Sequence, residues 1–430
     1  MFCPRIHWRS IAILNLVILL GLCELPGGRA AAASIPWPQW GGPARDFHVQ
    51  APRLADQWPA DGPRKLWSRP LGQGYSAIVA DGKNLYTLYR TGPEESVVAL
   101  NAADGRTVWE HKYAAKPDAS QTGEFGHGPN ATPLLLEDRI IAAGFTGVIA
   151  CLSTADGKVL WSHDLLKEFK GSVAGFGYSS SPLAFGETVI CTVGGKEHGA
   201  IAFRISDGSI VWKSAPFSRS HASPLLIRVG GQEQLVCRSE EELIGMNPGS
   251  GEVLWRARCT GNFAMTPLFG EDGLMFGGAP EGETGSQVLR ISMKDGKTVA
   301  EPVWNSRKVN LGYWNAIRVG DLICASIGSN GTLLAGVDIH TGSLKWRQRG
   351  FRKANSIFAD NKLFFIDEGG ALVMAKVLPA EMKVLGETKL LEEVSWTVPT
   401  IVGTTLYARD KKHIVAVDLG VPSPSPRGQG

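Results

Sequence analysis

One local pattern recurs along this chain at a nearly constant interval. An alternating apolar strand leads into an Asp-Gly or Thr-Gly type of turn, and a tryptophan follows a few residues later. The first copy reads Val98-Ala99-Leu100-Asn101-Ala102-Ala103-Asp104-Gly105-Arg106-Thr107-Val108-Trp109. Later copies pair Gly157 with Trp161, Gly208 with Trp212, Gly251 with Trp255, Gly296 with Trp304 and Gly342 with Trp346. Successive turn glycines are 43 to 52 residues apart, an interval that suits propeller blades rather than leucine-rich or helical-hairpin arrays. Glycine recurs because a tight hairpin needs a residue at positive φ, which glycine adopts without a Cβ penalty. The flanking alternation marks half-buried strands, and an indole at a fixed place can bury itself between neighbouring sheets. Six of the 13 tryptophans stand at this position, so the repeat sets where they go.

A second marker precedes each unit at the start of a short strand. It reads Ala131-Thr132-Pro133-Leu134, Ser180-Ser181-Pro182-Leu183, Ala222-Ser223-Pro224-Leu225 and Met265-Thr266-Pro267-Leu268. Variants are Ser76-Ala77-Ile78, Asn315-Ala316-Ile317, Asn355-Ser356-Ile357 and Val398-Pro399-Thr400. Proline is tolerated at the first residue of a strand, where its missing N–H costs least. Eight strand starts predict an all-β, eight-bladed propeller of four-stranded antiparallel blades over residues 65–419, with seven blades as the alternative. Blade seven is degenerate, with Met382-Lys383-Val384-Leu385 where the turn and tryptophan belong. The last unit lacks a tryptophan strand, and Lys65-Leu66-Trp67-Ser68-Arg69 is a tryptophan strand without a unit. The amino-terminal strand is therefore expected to complete the last blade and remove an exposed edge.

The ends of the chain read differently from the repeats. Arg5, His7 and Arg9 precede an apolar run from Ile11 to Leu22, followed by the small residues Ala30 to Ala33. That order predicts a signal peptide over residues 1–33, with a retained anchor as the alternative. Leu22 makes Cys23 a poor lipid-attachment site. Residues 34–64, rich in proline, glycine and tryptophan, form an extension expected to wrap the rim, and residues 420–430 a disordered tail. Cys151, Cys191, Cys237, Cys259 and Cys324 are scattered through apolar runs and read as buried thiols, with no CxxC spacing for a metal. A net charge of +3 over 430 residues gives no concentrated basic face for nucleic acid. The expected product is a periplasmic or secreted monomer with no integral membrane span once the signal is removed.

With these motifs in view, the repeats resemble the pyrroloquinoline quinone (PQQ) repeat, whose pattern is Ala-x-Asp-x-x-x-Gly-x-x-x-Trp. Its Ala falls on Ala99 and Ala202, its Gly on Gly105, Gly157 and Gly208, and its Trp on Trp109, Trp161 and Trp212. Its Asp reads Asn101 and Ser153 here. The similarity is greatest to small secreted PQQ-like propellers of planctomycete type, which begin with a motif like Trp37-Pro38-Gln39-Trp40-Gly41-Gly42-Pro43. Related propellers form the lipoprotein of the outer-membrane β-barrel assembly machine and the catalytic body of quinoprotein alcohol dehydrogenases. The dehydrogenases hold quinone and calcium with a Glu, an Asn and a catalytic Asp, beside an adjacent Cys-Cys pair. This sequence has no Cys-Cys pair, no CxxCH haem site and none of the long insertions, so neither PQQ with calcium nor any other cofactor is expected.

No HExxH, GxSxG or Walker motif occurs, and no catalytic or metal-ligating residue is assigned. His127 and His221 read as polar loop residues. The sharper expectation is a ligand site at the channel mouth, built from residues that enter the innermost strands. These are Tyr75, Asn130, Tyr178, His221, Phe263, Trp314, Asn355 and Trp396. Aromatic and amide side chains at equivalent places in a ring can stack on sugars or clamp an extended peptide. The expected function is non-catalytic recognition of a protein, peptide or glycan. The alternatives are a PQQ-dependent oxidoreductase or an outer-membrane assembly subunit.

Overall fold

A computed structural model describes Met1 and residues 37–117, 125–173, 175–260, 264–278, 285–310, 314–328 and 331–421. The expected signal peptide and tail thus fall almost wholly outside the described residues. Among those residues the chain forms eight sheets and no helix, each sheet a propeller blade of four antiparallel strands, to which a fifth, parallel strand is added at blade seven. Eight blades, not seven, make the ring. Blade one runs Val79–Ala80, Asn84–Thr91, Glu94–Asn101 and Thr107–Ala114, with neighbours in space following the order of the chain. The next six blades repeat this order, the seventh ending with Met382–Lys389. Blade eight takes Thr400–Val402, Thr405–Arg409 and His413–Asp418 from the end of the chain and Arg64–Pro70 from near its start. Trp67 lies opposite Ala416 in that sheet, so the ring closes as the lone tryptophan strand foretold.

The repeat residues make the seams. In blades one to six the turn glycine joins the third and fourth strands, and at five seams the tryptophan of one blade rests on the glycine of the next. An ideal Cβ on Gly157 would lie 2.5 Å from Trp109 Cε3, and Gly157 has φ of +72°, so both space and backbone demand glycine there. Gly105 sits in the same way under Trp67, Gly208 under Trp161, Gly251 under Trp212 and Gly342 under Trp304. Each of these indoles also donates Nε1–H to the carbonyl three residues before the glycine. The acceptors are Ala102, Thr154, Ile205, Pro248 and Ile339, at 2.7–3.0 Å. Burying each ring contributes about 2–3 kcal/mol.

Two members of the repeat depart from this geometry. Gly296 occupies a hairpin tip with no atom within 4 Å of its would-be Cβ, because the strands Ser286–Lys294 and Lys297–Ser306 run past the seam. Trp255 therefore donates to Gln234 Oε1 of its own blade, at 2.8 Å. Trp346 is 7% exposed and its Nε1 has no hydrogen-bond partner, because blade seven connects its outer strands through Leu378–Glu381 without a glycine turn.

The inner rim has its own fastening. Thr132, Ser181, Ser223 and Thr266, each just before a strand-start proline, accept a hydrogen bond on the side-chain oxygen from the preceding blade. The donors are the backbone N–H groups of Ala77, Thr132, Ser181 and Ser223, at 2.9–3.3 Å. Asn315 does the same work between blades six and seven, accepting from Ser356 N (2.8 Å) and donating to Ser356 O (2.7 Å). At the closure, buried Arg409 of blade eight donates to Leu88 O (2.6 Å), Thr87 Oγ1 (3.2 Å) and Gly72 O (2.9 Å) beside blade one.

The amino-terminal extension departs from the expected rim wrap. Trp37 exchanges backbone hydrogen bonds with Ala80 at the inner strand of blade one, and Pro38 O accepts from Leu135 N of blade two. Arg45 Nη1 donates to Pro182 O at blade three (3.1 Å) and Trp40 Nε1 to Thr266 Oγ1 at blade five (3.0 Å). His48–Val49 then pairs parallel to Phe358–Ala359, the inner strand of blade seven. A segment that touches the inner strands of five blades lies across the axis. Trp37 and Phe47 are 2% and 1% exposed, so it is packed there as core. Only the later part, from Leu54 onward, runs outward, with Leu54 bridged to Gly420.

Candidate functional site

The residue three places before each strand-start proline, or its equivalent, stands just ahead of the innermost strand of its blade. In blade order these residues are Tyr75, Asn130, Ser179, His221, Ala264, Trp314, Ala354 and Trp396. All but the fully buried Ala354 line one cavity of about 470 Å³, whose floor is Trp40 from the segment crossing the axis.

Five of the eight residues expected at the mouth meet on this cavity: Tyr75, Asn130, His221, Trp314 and Trp396. Tyr178 does not. It is 3% exposed, packs between blades two and three, and its hydroxyl donates to Thr192 O (3.0 Å). Asn355 is likewise buried, its Oδ1 accepting from Asn315 N (3.3 Å). Phe263 lies outside the described residues. Ser179, next to Tyr178, and Ala264 line the cavity, whereas Ala354, next to Asn355, is fully buried. A shift of one residue in extended chain turns a side chain to the opposite face.

Aromatic rings dominate the wall. Trp396 stacks on Tyr75 with centroids 5.2 Å apart, and Phe125 meets Trp396 edge-on at 5.1 Å. Phe125 continues to Phe176 at 5.4 Å, and Phe176 to His221 at 6.0 Å. Phe125, Phe176 and Lys353 escaped the sequence reading because they sit in loops with no repeat to mark them. Trp40 was visible only as part of the Trp37–Pro43 motif, with nothing to place it on the axis.

The polar atoms of the wall are largely committed to the fold. Asn130 Nδ2 donates to Phe176 O (2.8 Å), and Thr266 Oγ1 takes both Trp40 Nε1 and Ser223 N. The oxygens of Ser181 and Ser223 hold neighbouring blades. The Lys353 ammonium, 4.9 Å above the Trp396 ring, is ion-paired to Glu368, which also accepts from Trp396 Nε1 (3.1 Å). Ser179 Oγ hydrogen-bonds His221 Nδ1. Burial, with a smaller contribution from the Arg219 charge, pushes the His221 imidazole down to about 4. Burial likewise raises the Tyr75 phenol well above its ordinary range, which keeps it protonated.

Residues 93–264 and 197–349 match the PQQ-repeat family described as outer membrane protein assembly factor BamB. The chain belongs to this family of PQQ-like propellers. A stretch of 156 residues is 27% identical to quinohemoprotein alcohol dehydrogenase ADH-IIG of Pseudomonas putida, covering 34% of this chain. That stretch spans only 20% of the dehydrogenase. In three dimensions the PQQ-like propeller resembles BamB from Moraxella catarrhalis with a TM-score of 0.58 at 16% identity, over 84% of this chain and 99% of that one. It also resembles the alcohol dehydrogenase ADHIIG from Pseudomonas putida HK5, with a TM-score of 0.62 at 13% identity, over 92% of this chain and 82% of that one. At such identities the likeness is one of fold.

The dehydrogenase relatives raise the question of a quinone. The rings of the cavity would suit a flat cofactor, but its charges would find little. Among the described residues no carboxylate lines the wall, and the one ammonium there, that of Lys353, is already paired. Among the described residues no three His, Cys, Asp or Glu side chains group to hold a metal ion. The five cysteines of the blades are buried as separate thiols, with Cys237 and Cys324 pushed up to about 12 by burial. The described residues of the wall do not fit a calcium-bound, carboxylate-bearing quinone. No helix among the described residues is long and apolar enough to cross a membrane.

Proposed function

We propose that this PQQ-like propeller is a non-catalytic, extracytoplasmic recognition module that takes an apolar side chain of a partner protein into its axial well. One observation carries the reading: the well is walled by aromatic rings while its hydroxyls and amides are spent on the blades. An apolar or aromatic side chain gains burial against six rings and loses no hydrogen bond on entering. A sugar would bring many hydroxyls to a wall with few free partners for them, and each unmet one is costly. The basic, apolar and small-residue order of residues 1–33 supports export. The family's description as an assembly factor agrees with a protein partner, as an analogy only.

Peptide and glycan arrays probed with the purified protein test this. Peptides bearing an exposed Trp, Phe, Tyr or Leu should be captured. A Phe125→Ala/Trp396→Ala variant with unchanged circular dichroism should lose at least ten-fold in affinity. Capture of glycans with no peptide bound would overturn the reading. Equal binding by the variant would overturn it too.

A further inference from the structure

The well does not end at its aromatic rim. Tyr75, Phe125 and Gly126 also border a small recess of about 90 Å³, whose far side is formed by Gln73 and Lys411. Gln73 and Lys411 in turn border a broad groove of about 710 Å³ that runs beside blade one. Well, recess and groove are thus neighbours in a row, each sharing lining residues with the next. Their chemistry changes along the path. Where the well is aromatic, the groove carries Lys116, Lys411, Lys412 and Arg90, and no acidic residue among those described lines it.

The cations of the groove are not equivalent. Arg90 is buried and bound to Glu95 at 2.7 Å, and Lys412 reaches Glu393 at 2.5 Å, so both are internally compensated. Among the described residues neither Lys411 nor Lys116 is in an ion pair. Lys411 instead holds its ammonium 5.5 Å above the Tyr75 ring and 5.9 Å above the Trp396 ring. That places an uncompensated positive charge where the aromatic part of the path meets the basic part. A cation resting on aromatic faces keeps its charge available to an incoming anion.

Resting on the apolar-side-chain reading above, we infer that the occupant is an extended acidic peptide segment of a partner protein. An aromatic or aliphatic residue at one end fills the well. Aspartates and glutamates beyond it lie along the groove, the first of them against Lys411. A lone anion would occupy the groove without using the well, and a neutral apolar peptide the well without the groove. A chain carrying both features uses the whole path. Charge complementarity makes the groove a selector of partners and a source of fast, salt-sensitive association.

A synthetic peptide array separates this from the parent reading. Each dodecapeptide carries Trp, Phe, Tyr or Leu at one end and an Asp/Glu, Gly/Ser or Lys/Arg run beyond it, in both chain directions. Oligogalacturonate serves as an acidic glycan. Binding is read by fluorescence anisotropy with labelled copies of the hits. Acidic runs should bind at least ten-fold more tightly than Gly/Ser runs with the same tip. That gain should vanish in Lys411→Glu, fall in Lys116→Glu, survive in Lys411→Arg and shrink on raising salt from 50 to about 500 mM. Equal affinity for acidic and neutral runs, with the tip still required, overturns the groove and leaves the well standing. Capture of no peptide overturns both. Oligogalacturonate bound more tightly than every peptide overturns the peptide assignment. Matching melting curves for the variants exclude loss of fold as the cause.

Discussion

In the seam between blades one and two, Trp109 comes from the repeat, rests on Gly157 and donates to Thr154 O at 2.7 Å. Behind blade seven the same volume is filled from elsewhere. Each repeat tryptophan pairs with its third strand next to a bulge, as Trp109 does with Ala99. In blade seven the residue at that place, opposite Met374 and beside the bulge, is Gly386. An ideal Cβ on Gly386 would lie 2.8 Å from Trp58 Cε3, and the Trp58 ring packs 6.4 Å from that of Phe364. The extension thus lends blade seven the indole its own repeat lacks. Trp58 is buried at Nε1 without a hydrogen-bond partner, whereas Trp109 has one. The ring needs indole volume at every seam, and it does not need the chain to supply it locally.

Three experiments probe that difference, beginning with the regular seam. Trp109→Ala should cost about 3–5 kcal/mol in urea unfolding, the usual loss for a large buried aromatic side chain. A loss under about 1 kcal/mol would mean that the seam tryptophans are spectators. Next comes the borrowed seam. Trp58→Ala should cost about 2–3 kcal/mol by burial, and Gly386→Trp about 1–3 kcal/mol by overpacking against Trp58. Their combination should recover at least about 1 kcal/mol relative to the sum, since the new indole takes the vacated place. Strict additivity would break the equivalence drawn between the two seams. The smallest effect concerns the hydrogen bond. Trp212→Phe leaves Pro248 O without its donor, while Trp346→Phe strands nothing. The first should therefore be worse by about 1 kcal/mol in the same unfolding experiment.

The contrast also marks what could be read from the chain. Blade count, turn glycines and closure by Lys65 to Arg69 were legible because each signal is confined to about a dozen residues. Gly386 was not, because a bulge shifts the register and glycine carries no apolar signal of its own. Trp58 was not either, since its partners lie some 300 residues further on. The rim residues failed in a narrower way. Tyr178 and Asn355 lie one place from Ser179 and Ala354, the residues three before Pro182 and its equivalent Ile357, and a shift of one place in extended chain turns the side chain to the other face. The hydroxyls of Thr132, Ser181, Ser223 and Thr266 were quoted with their prolines, but nothing local shows that they fasten neighbouring blades. The crossing of the axis by residues 37–49 depends on five separate blades and leaves no trace in spacing.

Because Arg64–Pro70 pairs with His413–Asp418, the eighth sheet is shared by segments made about 340 residues apart. At about 5–20 residues per second of synthesis, the early strand waits roughly 20–70 s for its mate. Throughout that interval Trp67 has no sheet of its own to sit in, and the strand's backbone is an open invitation to any other edge nearby. Loss of only the last twenty or so described residues would leave that vulnerability permanent, even with seven blades intact.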